Sequence, residues 1–274
     1  MGKDSGYFGN TSVTWKLGRE AIVDLGGARA VLMQIAHPLV AAGVMEHSRY
    51  MTDPFGRAMS TFMLGQMLTF GSTKTAQQAA RTINRLHTHV QGQLTSSAGA
   101  YQAGTTYHAR DPELLLWVQA TLVDTVLLMY PLFIGPISPA EQERYYQESK
   151  QTGRLLGLPL DLMPKSVDDL HAYVHAMLYS QQLAATIEAR QIAHQLFFPP
   201  APGIFKPAMY LHLYLTNALL PEPVRELYGF EWGPKKQLLF ETSASGLRTF
   251  LRHLPASLRV LPITRHIMDH GAAA

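Results

Sequence analysis

Apolar residues recur along this chain at helical spacing almost from end to end, and runs that alternate apolar with polar are hard to find. The pattern predicts an all-α fold. A first helix is expected over residues 18–33, and a second opens at Pro38 and ends near His47. Thr52-Asp53-Pro54 supplies a cap followed by proline at the first helical position, which opens a helix over 54–70. Gly71-Ser72-Thr73 breaks and recaps the chain before a helix over 74–94, and the small, polar, glycine-rich stretch 95–106 reads as a loop. Asp111-Pro112-Glu113 repeats the cap-and-proline signal ahead of an apolar helix over 114–130. Ser138-Pro139-Ala140-Glu141 is a capping box that opens a helix over 139–156. Ser166 caps a long helix to about 198, ended by Pro199-Pro200-Ala201-Pro202-Gly203, after which short apolar segments follow at 207–220, 223–228 and 235–254. The last 70 or so residues are few for a core of their own, so one all-α domain over 18–262 is expected, between tails at 1–17 and 263–274.

Composition supports a buried, helical protein. Of 274 residues, 47% are hydrophobic and only 16% charged, so much of the chain faces its own interior or an apolar partner. The most apolar stretch, 21–44, carries Asp24, Arg29 and His37 and is split by Gly26-Gly27 and Pro38. It reads as two core helices rather than a stable membrane span. The first 16 residues lack the pattern of a secretory signal, which makes a cytoplasmic protein the expectation. A net charge of +3 spread over scattered Lys and Arg does not favour nucleic acid, whereas the long apolar faces permit a homodimer. The chain has no cysteine, which removes disulfides, thiolate nucleophiles, iron–sulfur clusters and thiolate-ligated haem. Any metal must rest on His, Asp, Glu or Tyr.

Twelve histidines are therefore the first place to look for chemistry. His171 and His175 stand four apart, on one helix face, as in two-histidine metal sites, but Ala172 occupies the position of a zinc peptidase's glutamate and no third ligand follows from spacing. His87 and His89 are two apart and point to different faces, so at most one belongs to any single site. Arg57 and Thr61 share a face of an otherwise apolar helix bearing Met59, Phe62 and Met63. A guanidinium buried there needs either a salt bridge, with Asp53, Glu46 or Asp24 in reach by sequence, or an anionic ligand. There is no nucleophile elbow, phosphate-cradling glycine loop or dinucleotide fingerprint.

An ordered set of motifs carries a family resemblance. Gly26-Gly27-Ala28-Arg29 runs on to Ala36-His37-Pro38. His47-Ser48, Asp53-Pro54-Phe55-Gly56-Arg57 with Thr61, Phe70-Gly71, and His87 with Val90 and Gly92 follow in order. Then come Tyr107-His108-Ala109-Arg110-Asp111-Pro112 leading to Trp117-Val118, Tyr145-Tyr146, Gly153-Arg154-Leu155-Leu156-Gly157 and Pro164. Over about residues 18–200 this order resembles the catalytic domain of the MpaB and rubber oxygenase (latex clearing protein) family. The resemblance implies an all-α domain with a globin-like helical core around haem b. It also implies oxygenase or oxidase chemistry on a small apolar or phenolic substrate with dioxygen or peroxide.

Carried over by motif, His87 corresponds to the axial iron ligand, and Arg57 and Thr61 to the arginine and threonine of the haem pocket, in catalytic as well as cofactor-binding roles. Apolar residues including Met63, Leu86, Met59 and Phe62 are expected to line it. Ser60 stands where latex clearing proteins can carry lysine, Gln119 where many relatives read histidine, and no glutamate clearly matches the base proposed for rubber cleavage, Glu46 being merely nearby. These departures argue against polyisoprene as substrate. A haem-binding or gas-sensing protein without turnover, and a haem-free metal hydrolase using His171 and His175, are the alternatives.

Overall fold

The computed structural model describes residue 4 and residues 6–271. Its helices, in chain order, are α1 (Val13–Gly18), α2 (Ala21–Asp24), α3 (Gly27–Ile35), α4 (Pro38–His47), α5 (Pro54–Phe70), α6 (Thr73–His87), α7 (Pro112–Phe133), α8 (Pro139–Leu155), α9 (Val167–Leu178), α10 (Ile187–Phe197), α11 (Lys206–Leu219), α12 (Glu222–Tyr228), α13 (Pro234–His253) and α14 (Pro262–Gly271). Two three-residue strands, β1 (Gln91–Gln93) and β2 (Thr106–His108), pair antiparallel between α6 and α7, with Gly92 opposite Tyr107. The fold is all-α, as the hydrophobic spacing requires.

The apolar helix α7 lies at the centre and packs on α2, α3, α8, α9 and α13. Trp117, Val123 and Met129 point into the main core, and the Trp117 indole N–H donates to the Met33 carbonyl at 3.1 Å, tying α7 to α3. By length and composition α7 could cross a membrane, and half of that stretch is buried inside the protein. The stretch from Ala21 to Ile35 and the helix Pro38–His47 bend by 109° at the break before Pro38. The Ser138 capping box forms as read, with Ser138 accepting from the Glu141 N–H and the Glu141 carboxylate accepting from the Ser138 N–H.

Three expected helices are shorter than their apolar periodicity suggests, because tertiary ties overrule it. The single helix over 18–33 is instead the end of α1, then α2 and α3. Glu20 is buried between Arg19 and Arg259, the Ala21 N–H donates to the Arg259 carbonyl, and a side chain at Gly26 would meet Thr125 and Met129 of α7. The helix over 74–94 stops at His87, since residues 91–93 are spent on the pairing with 106–108. The helix over 166–198 breaks at 179–186, where the Ala184 N–H reaches the Ala36 carbonyl and the Gln181 carbonyl accepts from Ala100, before Thr186 caps α10. Gly99, at φ 56°, permits that approach: a Cβ there would collide with the Gln181 carbonyl oxygen.

Neither expected tail is only a tail. At the N-terminus, Phe8 is buried and α1 packs on α8, while α14 packs on α5 through the buried Thr264. The amphipathic spacing of each short segment finds a groove between longer helices, which a reading by length alone misses. Residues 1–3, 5 and 272–274 of those tails lie outside the described residues.

Candidate active site

The helices α5 and α6 form an antiparallel hairpin closed by Gly71-Ser72 and open at the other end, where the start of α5 meets the finish of α6. The closed end is fixed. The Thr73 N–H and hydroxyl both donate to the Asp4 carboxylate, and Ser72 caps α6. Opposite, the Asp53 carboxylate caps α5 by accepting from the Gly56 N–H at 2.9 Å, which sets the first turn of α5 and with it Arg57 and Thr61. The open end therefore brings Arg57 and His87 together from positions 30 residues apart in sequence.

Arg57 settles one alternative left by the sequence. Its Nε donates to the Ser48 hydroxyl at 2.9 Å and its Nη1 to the Thr61 hydroxyl, and it makes no ion pair with a carboxylate among the described residues. The three acids in reach by sequence are engaged elsewhere: Asp53 in its cap, Glu46 with the Tyr107 hydroxyl at 2.6 Å, and Asp24 with Gln66. Burial lowers the Arg57 pKa from its ordinary value, opposed by Tyr50, whose own hydroxyl is pushed up to about 12 by burial. A guanidinium stays charged under such a shift. The result is a half-buried cation held by two hydroxyls and without a counter-charge.

His87 complements it. The ring is half-buried, its Nδ1 is sealed from solvent without a partner, and it makes no hydrogen bond among the described residues. Burial lowers its pKa from the ordinary histidine value, and the nearby Arg57 and Arg110 act in the same direction. The neighbouring histidines are committed: His47 Nε2 pairs with the Gln91 carbonyl at 3.0 Å, and His108 Nδ1 accepts from the Arg110 N–H at 2.9 Å. His89 is exposed.

The other expected residues lie nearby without enclosing the ring. Met63 and Phe62 are half-buried on α5, whereas Met59 and Leu86 are exposed, Leu86 at 58%, and with Met51 and Phe55, the latter 75% exposed, they leave an apolar rim at the hairpin mouth. Thr61 is exposed and its hydroxyl also donates back to the Arg57 carbonyl. Two grooves, of about 460 and 590 Å3, lie among residues 7–12, α1 and α8 and include none of these residues.

Sequence reasoning did not give roles to Ser48, Tyr50, His108 or Arg110, although three of them stand in the motifs that carried the resemblance. Gly92 is the signal for a further pair, since a Cβ there would come within 2.6 Å of the Tyr107 hydroxyl and 2.9 Å of the Glu46 carboxylate.

The family model of the catalytic domain described as ER-bound oxygenase mpaB/B'/Rubber oxygenase matches residues 15–252. The chain belongs to this family. Within it, the chain is similar to an uncharacterised protein of Mycobacterium bovis and to one of Mycobacterium tuberculosis, each 27% identical over 235 residues, a match spanning 83% of this chain and 88% of the relative. No solved structure matches significantly. Membership in the mpaB/rubber oxygenase family supports an oxygenase-type oxidoreductase.

Proposed function

We propose that the chain is a haem b-dependent oxygenase or oxidase of small apolar or phenolic molecules, with His87 as axial iron ligand. The observation that carries this reading is the half-buried His87 ring, which makes no hydrogen bond among the described residues and whose pKa burial lowers, next to the uncompensated Arg57 cation. A neutral imidazole with a free nitrogen lone pair is the donor an axial site needs, and a cation beside it suits the carboxylates of haem.

Haem b, when bound, supplies an iron centre that uses dioxygen or peroxide to oxidise the substrate. The chain's own residues do the rest. His87, at the end of α6, would hold the iron, and Arg57 would offer N–H donors to a haem propionate or to another anionic group beside it. Thr61 and Ser48 keep the guanidinium in place from two sides. Met63 and Phe62 are half-buried on α5, and the exposed Met59, Leu86 and Phe55 would give a flat apolar disk or substrate a surface to cover.

The hydrolase reading gains nothing from the structure. Both His171 and His175 are exposed, and no group of three potential metal-ligating side chains occurs among the described residues. The test is the visible absorption spectrum of haem-replete protein, comparing wild type with His87→Ala and His89→Ala. A Soret band in wild type and His89→Ala that is lost or strongly shifted in His87→Ala is the expected outcome. Wild type without a Soret band would overturn the proposal, and a bound haem with no turnover of any phenolic or apolar substrate would replace it with a binding or sensing role.

A further inference from the structure

Away from the hairpin, the surface built from the 203–205 turn, the first half of α11 and the outer side of α13 is unusually apolar. Ile204 is 82% exposed and Phe250 60%, with Phe205, Leu238 and Leu239 also in solvent. The Tyr214 hydroxyl of α11 donates to the Lys236 carbonyl at the start of α13, and its ring packs on Trp232, which fixes the two helices side by side. Along α13 only Phe240 and Ala244 are fully buried, whereas Leu239 and Phe250, eleven residues and so three turns apart, lie along one exposed flank.

The charge around this surface decides what covers it. Lys206 follows the Ile204-Phe205 tip directly, and Lys235 and Lys236 precede Leu238-Leu239 by one turn or less. None of these three cations has an ion-pair partner among the described residues. A two-fold contact between copies would set this surface against itself, cations facing cations. Anionic headgroups above an acyl layer meet both features at once: aromatic and aliphatic tips enter the interface while Lys stems extend to the phosphates.

We propose that this face of α11 and α13 adsorbs the protein to an anionic lipid surface, as a peripheral contact and without a spanning helix. The most apolar helix, α7, takes no part, since it forms the core.

The experiment is co-sedimentation of the full chain with phosphatidylcholine vesicles and with vesicles of phosphatidylcholine and phosphatidylglycerol, at low and raised salt. Wild type is expected to bind the phosphatidylglycerol vesicles and to be released by salt. Lys235→Gln with Lys236→Gln should bind roughly tenfold more weakly. Ile204→Ser with Phe205→Ser should lose binding at either salt, with an unchanged circular dichroism spectrum. Wild type that ignores phosphatidylglycerol vesicles, or binds both vesicle types alike, overturns the proposal. Failure to bind together with a salt-insensitive dimer in sedimentation velocity overturns it in favour of a second copy on this face.

Discussion

The seam between α3 and α7 and the mouth of the α5–α6 hairpin each take a guanidinium out of water, and they treat it in opposite ways. At the seam, Arg29 is 5% exposed and every arm is used: Nη2 on the Asp124 carboxylate at 2.6 Å, Nη1 on the Thr125 hydroxyl at 2.6 Å, and Nε on the Leu219 carbonyl at 2.8 Å. Those three partners come from α7 and α11, so one side chain holds three helices. At the mouth, Arg57 meets only hydroxyls and no negative charge. A buried cation with its charge balanced is part of the packing, whereas one met by dipoles alone keeps its charge uncompensated.

Removing Arg29 should have the largest effect. Arg29→Leu leaves the Asp124 carboxylate without its partner in a mostly buried position, which costs about 3–5 kcal/mol. For a domain of this length that lowers the melting temperature by roughly 10 °C, measurable by calorimetry on protein with or without haem. A variant that melts with wild type would show that the seam, too, does not depend on its ion pair.

The second prediction concerns the tie between the two regions. Asp24 of α2 accepts from the Gln66 amide of α5 at 3.3 Å, and the Gln66 carbonyl oxygen accepts from the Thr264 hydroxyl of α14 at 2.8 Å. Burial pushes the Asp24 carboxyl up to about 7, with Gln66 opposing. Because this folded pKa lies above the unfolded one, the group's contribution to stability is complete below about pH 4 and is lost as pH rises through 7. His37 acts in the opposite sense. Burial lowers it to about 4, so its contribution is present above about 6.5 and is lost as pH falls towards 4. Asp24→Asn should therefore raise the urea midpoint at about pH 8 relative to wild type and leave it nearly unchanged at about pH 4. An equal shift at both values would mean that the charge of Asp24 is not what the fold resists.

What was legible in the sequence divides along the same line. Local chemistry reads well: the cap-and-proline signals at Asp53 and Asp111 and the capping box at Ser138 set the starts of α5, α7 and α8 where the residues say. Ties between distant segments do not. The break at 179–186 depends on the Ala36 carbonyl and the stop at His87 on residues 106–108, and neither partner is visible in a window of local periodicity. For the candidate site, Arg57, Thr61 and His87 were named through the family resemblance rather than from spacing alone. That Arg57 lacks a carboxylate could not be read, because Asp53, Glu46 and Asp24 all stand within reach in sequence and only the fold assigns them elsewhere. The exposure of Leu86 and Met59 was hidden for a related reason, since apolarity alone does not distinguish a lining from a rim.

The smallest effect on stability sharpens the comparison most. Arg57→Gln removes the bond to Ser48 and the contact with Thr61, but it also relieves the desolvation of a cation that nothing neutralises. These changes oppose each other, so haem-free Arg57→Gln should unfold within about 1 kcal/mol of wild type, an order that Arg29→Leu cannot match. On the proposed haem-dependent reading, the same variant should release haem faster to an apomyoglobin acceptor, because the amide can hydrogen-bond a carboxylate but cannot offset its charge. A large loss of haem-free stability would place Arg57 with Arg29 among the architectural groups, and the hairpin mouth would then lose its claim to be arranged for an anionic ligand. Unchanged stability with unchanged haem release would leave His87 holding the cofactor and turn the guanidinium towards the substrate side, where a change in the oxidised product, rather than in retention, would report it.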